Sequence, residues 1–175
     1  MSTTTCIVIM TVCLILSGYF SATETAFSSA NTTRLKTLAE KGNKRAALVC
    51  RLLERYDRLL STILIGNNIV NIATASIGTV LFVRHYGDAG ATISTVVVTV
   101  VVLIFGEISP KTIATIRAER LALKNVSVIH FLMTALTPLI FIVNLFSRAY
   151  LFLMRVNPNE KGELMTEDEL RTIVE

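Results

Sequence analysis

Four stretches of the chain, residues 1–23, 59–83, 89–106 and 125–147, contain no Asp, Glu, Lys or Arg. Each is near or above the roughly 18–20 apolar residues that a helix needs to cross a bilayer. Backbone polar groups have no water to bond in hydrocarbon, so runs of this length must close their own hydrogen bonds as helices. The expected fold is therefore an all-α membrane protein, and soluble enzyme folds are excluded. Composition agrees: 17% of residues are charged and 52% hydrophobic, against about 25% charged in a typical soluble domain.

The charged residues fix an orientation. In residues 31–58, between the first two runs, lie Arg34, Lys36, Lys41, Lys44, Arg45, Arg51, Arg55 and Arg58, against only Glu40, Glu54 and Asp57. By the positive-inside rule this loop is cytoplasmic. The short link 84–90 faces outside, and Lys111, Arg117, Arg120 and Lys124 return the chain to the cytoplasmic side. The N-terminus MSTTT carries no basic side chain and crosses outward cheaply. It also lacks the basic start of a signal peptide, so the first run is expected to stay as a helix. Three crossings with the N-terminus outside satisfy every loop. The fourth run conflicts with Arg148 and Arg155 behind it and is interrupted by Pro138, with His130 and Asn144 adding polar cost. A broken, interfacial helix that returns to the cytoplasmic face resolves the conflict. The net charge of +4 thus reports topology and gives no reason to expect nucleic acid.

Within the basic loop, residues 31–42 and 43–56 are good helix formers divided by Gly42-Asn43, which predicts a cytoplasmic helical hairpin. Residues 1–156 read as one transmembrane domain. Residues 157–175 read as the start of an acidic linker helix, with Thr166 and Glu169 as a capping box. Cys6, Cys13 and Cys50 form no CxxC, and His85 and His130 have no neighbours at zinc spacing, so neither a disulfide framework nor structural zinc is expected.

Polar side chains at bilayer depth are expensive and should face protein or a water-filled cavity. Ser17, Ser21, Glu24, Thr25 and Ser28 share one helical face of the first run. Asn67, Asn71, Thr74 and Gly78 share one face of the second, with Asn68 beside them. The third ends in Gly106-Glu107-Ile108-Ser109-Pro110-Lys111. Pro110 has no N–H for the carbonyl of Gly106, which predicts a kinked helix with a bare carbonyl beside the Glu107 carboxylate. Carboxylate, carbonyl, amide and hydroxyl oxygens together suit hard cations such as Mg²⁺, Ca²⁺ or Na⁺. The same serines and asparagines also read as interhelical glue, worth about 0.6–2 kcal/mol each, and Glu107 as an i, i+4 partner of Lys111. No nucleophile–base pair is visible, so no enzyme is expected.

The motifs SGYFSATETAFSSANTTRLKTLAEKGN (17–43), LLSTILIGNNIVNIA (59–73) and FGEISPKTIA (105–114) resemble, in this order, the transmembrane domain of the CNNM/CorC magnesium transporter family. The resemblance runs from Ser17 to about Arg155. It implies three transmembrane helices, a cytoplasmic helical hairpin, a juxtamembrane belt helix and a homodimer in the plasma membrane, with the C-terminus cytoplasmic. It also implies Mg²⁺ bound inside the helix bundle and exported, with Na⁺ as the coupling ion. Carried over by motif, the Mg²⁺ positions are Ser21, Asn67, Asn71 and Glu107, to which the proline argument adds the Gly106 carbonyl. Full-length relatives continue into a cytosolic CBS-pair module, absent from these residues. The alternative function is a membrane-embedded Mg²⁺ sensor or scaffold that regulates other transporters without conducting ions.

Overall fold

A computed structural model of the chain describes residues 2–153. All regular structure in these residues is helical. The Thr166–Glu169 capping box, the 157–175 linker and Arg155 lie outside them.

The first apolar run folds as α1, Thr3–Ser29, started by the Ser2 side chain accepting from the Thr5 N–H. At 27 residues it is about 40 Å long, more than the roughly 30 Å of a hydrocarbon core. The basic loop forms α2, Thr32–Glu40, and α3, Lys44–Leu53. Asparagine caps begin both: Asn31 accepts from Arg34 N–H, and Asn43 from the N–H groups of Arg45 and Ala46. Between them Gly42 takes φ +89°, a left-handed conformation that glycine adopts without steric cost. This turn lets α3 fold back on α2.

A second helical stretch runs from Tyr56 to Ile116, 61 residues in all, and with α1 is long and apolar enough to cross a membrane. It doubles back on itself. Its first leg is α4, Tyr56–Tyr86, which ends at Gly87 with φ +60°. After the 3-10 turn Gly87–Ala89, the return leg is α5, Gly90–Val101. A side chain on Gly78 would meet both Val98 and Ser94, so the two legs lie antiparallel with small residues at the crossing. The return leg continues through a π-helical segment, Val102–Ile108, into α6, Ser109–Ile116. Ile15, Ile72, Val80 and Val96 stand 60–67% exposed on these three legs, an aliphatic surface suited to lipid rather than water.

The largest buried apolar cluster lies at one end of the bundle. There Phe27 of α1, Leu35 and Val49 of the hairpin, and Leu59 and Ile63 of α4 meet Val126 and Ile129. The last two belong to α7, Ala118–Ala135. Both ends of α7 touch the basic loop: Glu119 pairs with Arg34 at 3.1 Å, and the Met133 carbonyl accepts from Arg58 Nη2 at 3.3 Å. Midway, buried Asn125 donates to Thr23 Oγ1 of α1 at 2.8 Å. α7 thus contacts the C-terminal part of α1, the basic loop and the start of α4.

Residues Met1–Ala135 form one compact unit, and a second begins at Leu136. The described part of the second is α8, Thr137–Leu153. Pro138 explains the break, since it has no N–H for the carbonyl of Thr134.

Candidate ion-binding site

Two serines one turn apart on α1, Ser17 and Ser21, are fully buried. Across from Ser17, α4 presents Asn67, with Asn71 one turn further along. The π segment brings Gly106 and Glu107. Ser17 Oγ donates to Asn67 Oδ1 at 3.1 Å and stands 3.5 Å from the Gly106 carbonyl. Asn71 Nδ2 lies 3.4 Å from Glu107 Oε1, a long contact for a hydrogen bond. Three helical segments thus contribute oxygen atoms to one polar seam. Asn68 is exposed on α4 and takes no part in it.

The close approach depends on glycines. A Cβ on Gly106 would stand 2.8 Å from Ser17 Oγ, and one on Gly18 would stand 3.2 Å from both the Phe105 carbonyl and Pro110 Cγ. Small residues here let α1 lie directly on the backbone of the π segment.

The proline break differs from the simple kink that the sequence suggests. The Ser109 N–H reaches back five residues, to the Ile104 carbonyl, so the helix widens before Pro110. The extra residue in the turn relieves the clash between a proline ring and the carbonyl four residues earlier. In this register the N–H that proline lacks would have served Phe105; the Gly106 carbonyl instead faces the Ser17 hydroxyl. Irregular backbone at this depth is tolerated where it lines a cavity or is buried in protein.

Glu107 does not pair with Lys111. The Lys111 ammonium lies 3.2 Å from Glu24 Oε2, tying α6 to the end of α1. Among the described residues no Lys or Arg pairs with Glu107. Asn71 Oδ1 in the seam, and Ser21 Oγ one turn along α1 from Ser17, are buried without a hydrogen-bond partner. Such atoms are uncommon, because each forfeits its solvation without recompense. A carboxylate with no pairing cation, beside the unpartnered Asn71 oxygen, is an arrangement that a cation would complete.

The donor set suits a hard cation. No cluster of three or more His, Cys, Asp or Glu side chains occurs among the described residues. Ser17 is the residue that sequence reasoning omitted from the site. Its place four residues before Ser21, on the same helical face, was the available signal. By donating to Asn67 Oδ1 it holds that amide in position, as outer-shell partners of metal ligands do. Ser17→Ala is expected to lower cation affinity by about 10–100-fold while leaving the fold intact, as measured by calorimetric titration.

The fold and seam define a class: a polytopic membrane helix bundle with an oxygen-lined polar seam at a break in one helix. The chain belongs to the Cyclin M (CNNM) transmembrane N-terminal domain family, which it matches over residues 8–175. This is a family of membrane domains rather than of enzymes. The chain is 41% identical over 170 residues to a UPF0053 protein of Haemophilus influenzae, covering 97% of this chain and 40% of that protein. It is also 41% identical over 161 residues to the UPF0053 inner membrane protein YfjD of Escherichia coli, covering 91% of this chain and 37% of that one. A more distant relative, 28% identical over 179 residues and covering 94% of this chain and 41% of its own length, is the polyamine export protein of Haemophilus influenzae. The chain thus spans about two fifths of the length of these relatives.

Proposed function

We propose that this domain binds Mg²⁺ in the seam between α1, α4 and the π segment and carries it across the membrane as an exporter, with Na⁺ as the coupling ion. One observation carries the reading. Asn71 Oδ1 is buried without a partner, and the Asn71 amide stands against the Glu107 carboxylate, with which no Lys or Arg among the described residues pairs. The proposed ligands are Ser21, Asn67, Asn71, the Gly106 carbonyl and Glu107. Mg²⁺ gives up its water reluctantly and takes near-octahedral oxygen ligands. A set in which neutral oxygens outnumber one carboxylate compensates that dehydration without holding the ion too tightly to leave. Only Glu107 supplies full negative charge, so it dominates affinity.

The proposed setting is a homodimer in the plasma membrane, with α1, α4 and the α5–α6 leg as three spans. The N-terminus is outside, the α2–α3 hairpin cytoplasmic and α7 a belt along the inner face. In the full-length protein a CBS-pair module would follow on the cytoplasmic side. Orientation has a direct check. Asp88 is exposed in the link between α4 and α5. In a variant with Cys6, Cys13 and Cys50 replaced, a cysteine introduced as Asp88→Cys should react with an impermeant maleimide in intact cells. One introduced as Lys41→Cys should react only after permeabilisation, and the reverse pattern would invert the topology.

Function is tested by cation flux from proteoliposomes of the purified protein. Mg²⁺ movement that requires the parent protein supports transport. Saturable Mg²⁺ binding without flux would favour the sensor or scaffold reading. Spermidine flux in place of Mg²⁺ flux would favour the chemistry named for the polyamine-exporting relative, whose ammonium groups would meet the same carboxylate and carbonyl oxygens.

A further inference from the structure

Between the C-terminal end of α1, the start of α2 and the junction of α6 with α7 lies a polar pocket of about 460 Å³. Arg34, Arg117 and Arg120 line it, together with Glu119. Glu119 is committed to Arg34 at 3.1 Å. No carboxylate among the described residues pairs with Arg117 or Arg120, so three arginines against one glutamate leave two positive charges uncompensated. The pocket is not purely polar at its edge. Ile116 lines it and is 79% exposed, and Ile113, on the preceding turn of α6, is 55% exposed.

These features select a ligand chemistry. Guanidinium forks match phosphate oxygens in geometry and charge. A soluble phosphate would gain nothing from bare isoleucines beside them, whereas a phospholipid would lay its acyl region there. Basic pockets at the cytoplasmic ends of membrane helices take anionic headgroups by this combination. The position also has mechanical meaning. Arg117 closes α6 with φ −122° and ψ 32°, a non-helical joint between the leg that carries Glu107 and α7.

We propose that this pocket binds the phosphate of an anionic phospholipid through Arg117 and Arg120. The Arg34–Glu119 pair forms its wall and Ile116 meets the lipid's apolar part, so that the lipid bridges the α6–α7 joint. The inference rests on α1 and α6 being membrane helices and is independent of the ion site.

The chain contains no tryptophan, so Ile116→Trp supplies a single fluorescent reporter at an exposed position. The protein is reconstituted in phosphatidylcholine vesicles that contain, as a minor component, brominated phosphatidylglycerol or brominated phosphatidylcholine at equal mole fraction. Quenching is expected to be several-fold greater with the anionic lipid. That preference should vanish in Arg117→Ala/Arg120→Ala. It should shrink in Arg117→Lys/Arg120→Lys, which keeps the charge and protects the test against misfolding of the alanine pair. Equal quenching by the two lipids would overturn the proposal. So would an unchanged preference in the alanine pair, which would assign the effect to the basic hairpin at large, or full retention in the lysine pair. Relief of quenching by millimolar inorganic phosphate at constant ionic strength would assign the pocket to a soluble anion instead.

Discussion

Glu107→Gln is expected to abolish Mg²⁺ binding at the seam, lowering affinity by more than about a hundredfold, since even outer-shell partners of a metal are worth about 10–100-fold. The substitution keeps size and shape, and the glutamine Oε1 can still accept from Asn71 Nδ2, so the seam should stay assembled. What disappears is the only full negative charge among the proposed ligands. Without Mg²⁺ the variant should be as thermally stable as the parent or more so, because a carboxylate with no cation is costly to keep out of water. With saturating Mg²⁺ the parent should gain in Tm, as any ligand specific to the folded state requires, and the variant should not. Asn71→Ala and Ser21→Ala remove one neutral oxygen each and should weaken binding by less. An unchanged affinity in Glu107→Gln, read by calorimetric titration, would remove the seam as the site.

The second large effect is expected at Pro110. Proline in a helix interior is about 3 kcal/mol less favourable than alanine, and here the backbone meets it by widening over Val102–Ile108. Pro110→Ala restores an N–H and removes the ring, so the segment can return to α-helical register with residue 110 bonded to the Gly106 carbonyl. The π turn holds one residue more than an α turn. Losing it rotates Gly106 and Glu107 relative to the helix before them, and both cannot keep facing Ser17 and Asn71. The variant should therefore be at least as stable as the parent and yet fail to bind or move Mg²⁺. Parent-like flux together with unchanged stability would show that the widened turn has no part in ion handling.

Much of this architecture is legible in the sequence, for identifiable reasons. Charge-free runs must become helices, and Asn31 and Asn43 cap α2 and α3 because a short amide side chain is a good acceptor for free N–H groups at a helix start. Gly42 is the residue that the left-handed turn between those helices demands. The approach of Asn71 to Glu107 follows from helical periodicity combined with the cost of polar groups in lipid. What sequence hides is the choice of partner between helices. The i, i+4 spacing of Glu107 and Lys111 suggests a pair, yet the ammonium reaches across to Glu24 at 3.2 Å, since packing of α6 on α1 decides which carboxylate is nearer. Ser17 was visible as a polar residue on the right face, but its role depends on Asn67 lying 3.1 Å away on another helix. The π register is also a tertiary outcome. Pro110 announces a break, whereas the way the backbone absorbs it depends on Gly18 and Gly106 allowing α1 to approach.

The proposed site holds one hard cation among Ser21, Asn67, Asn71, Gly106 and Glu107. Anomalous diffraction from crystals of the domain soaked in Mn²⁺, which takes the same oxygen ligands as Mg²⁺, tests it most directly. One strong peak is expected inside the bundle, within coordination distance of the Glu107 carboxylate and of Ser21 Oγ and Asn71 Oδ1, and reduced when Mg²⁺ is added in excess. A peak displaced to the Glu24–Lys111 pair or to the surface, with none in the seam, would contradict it.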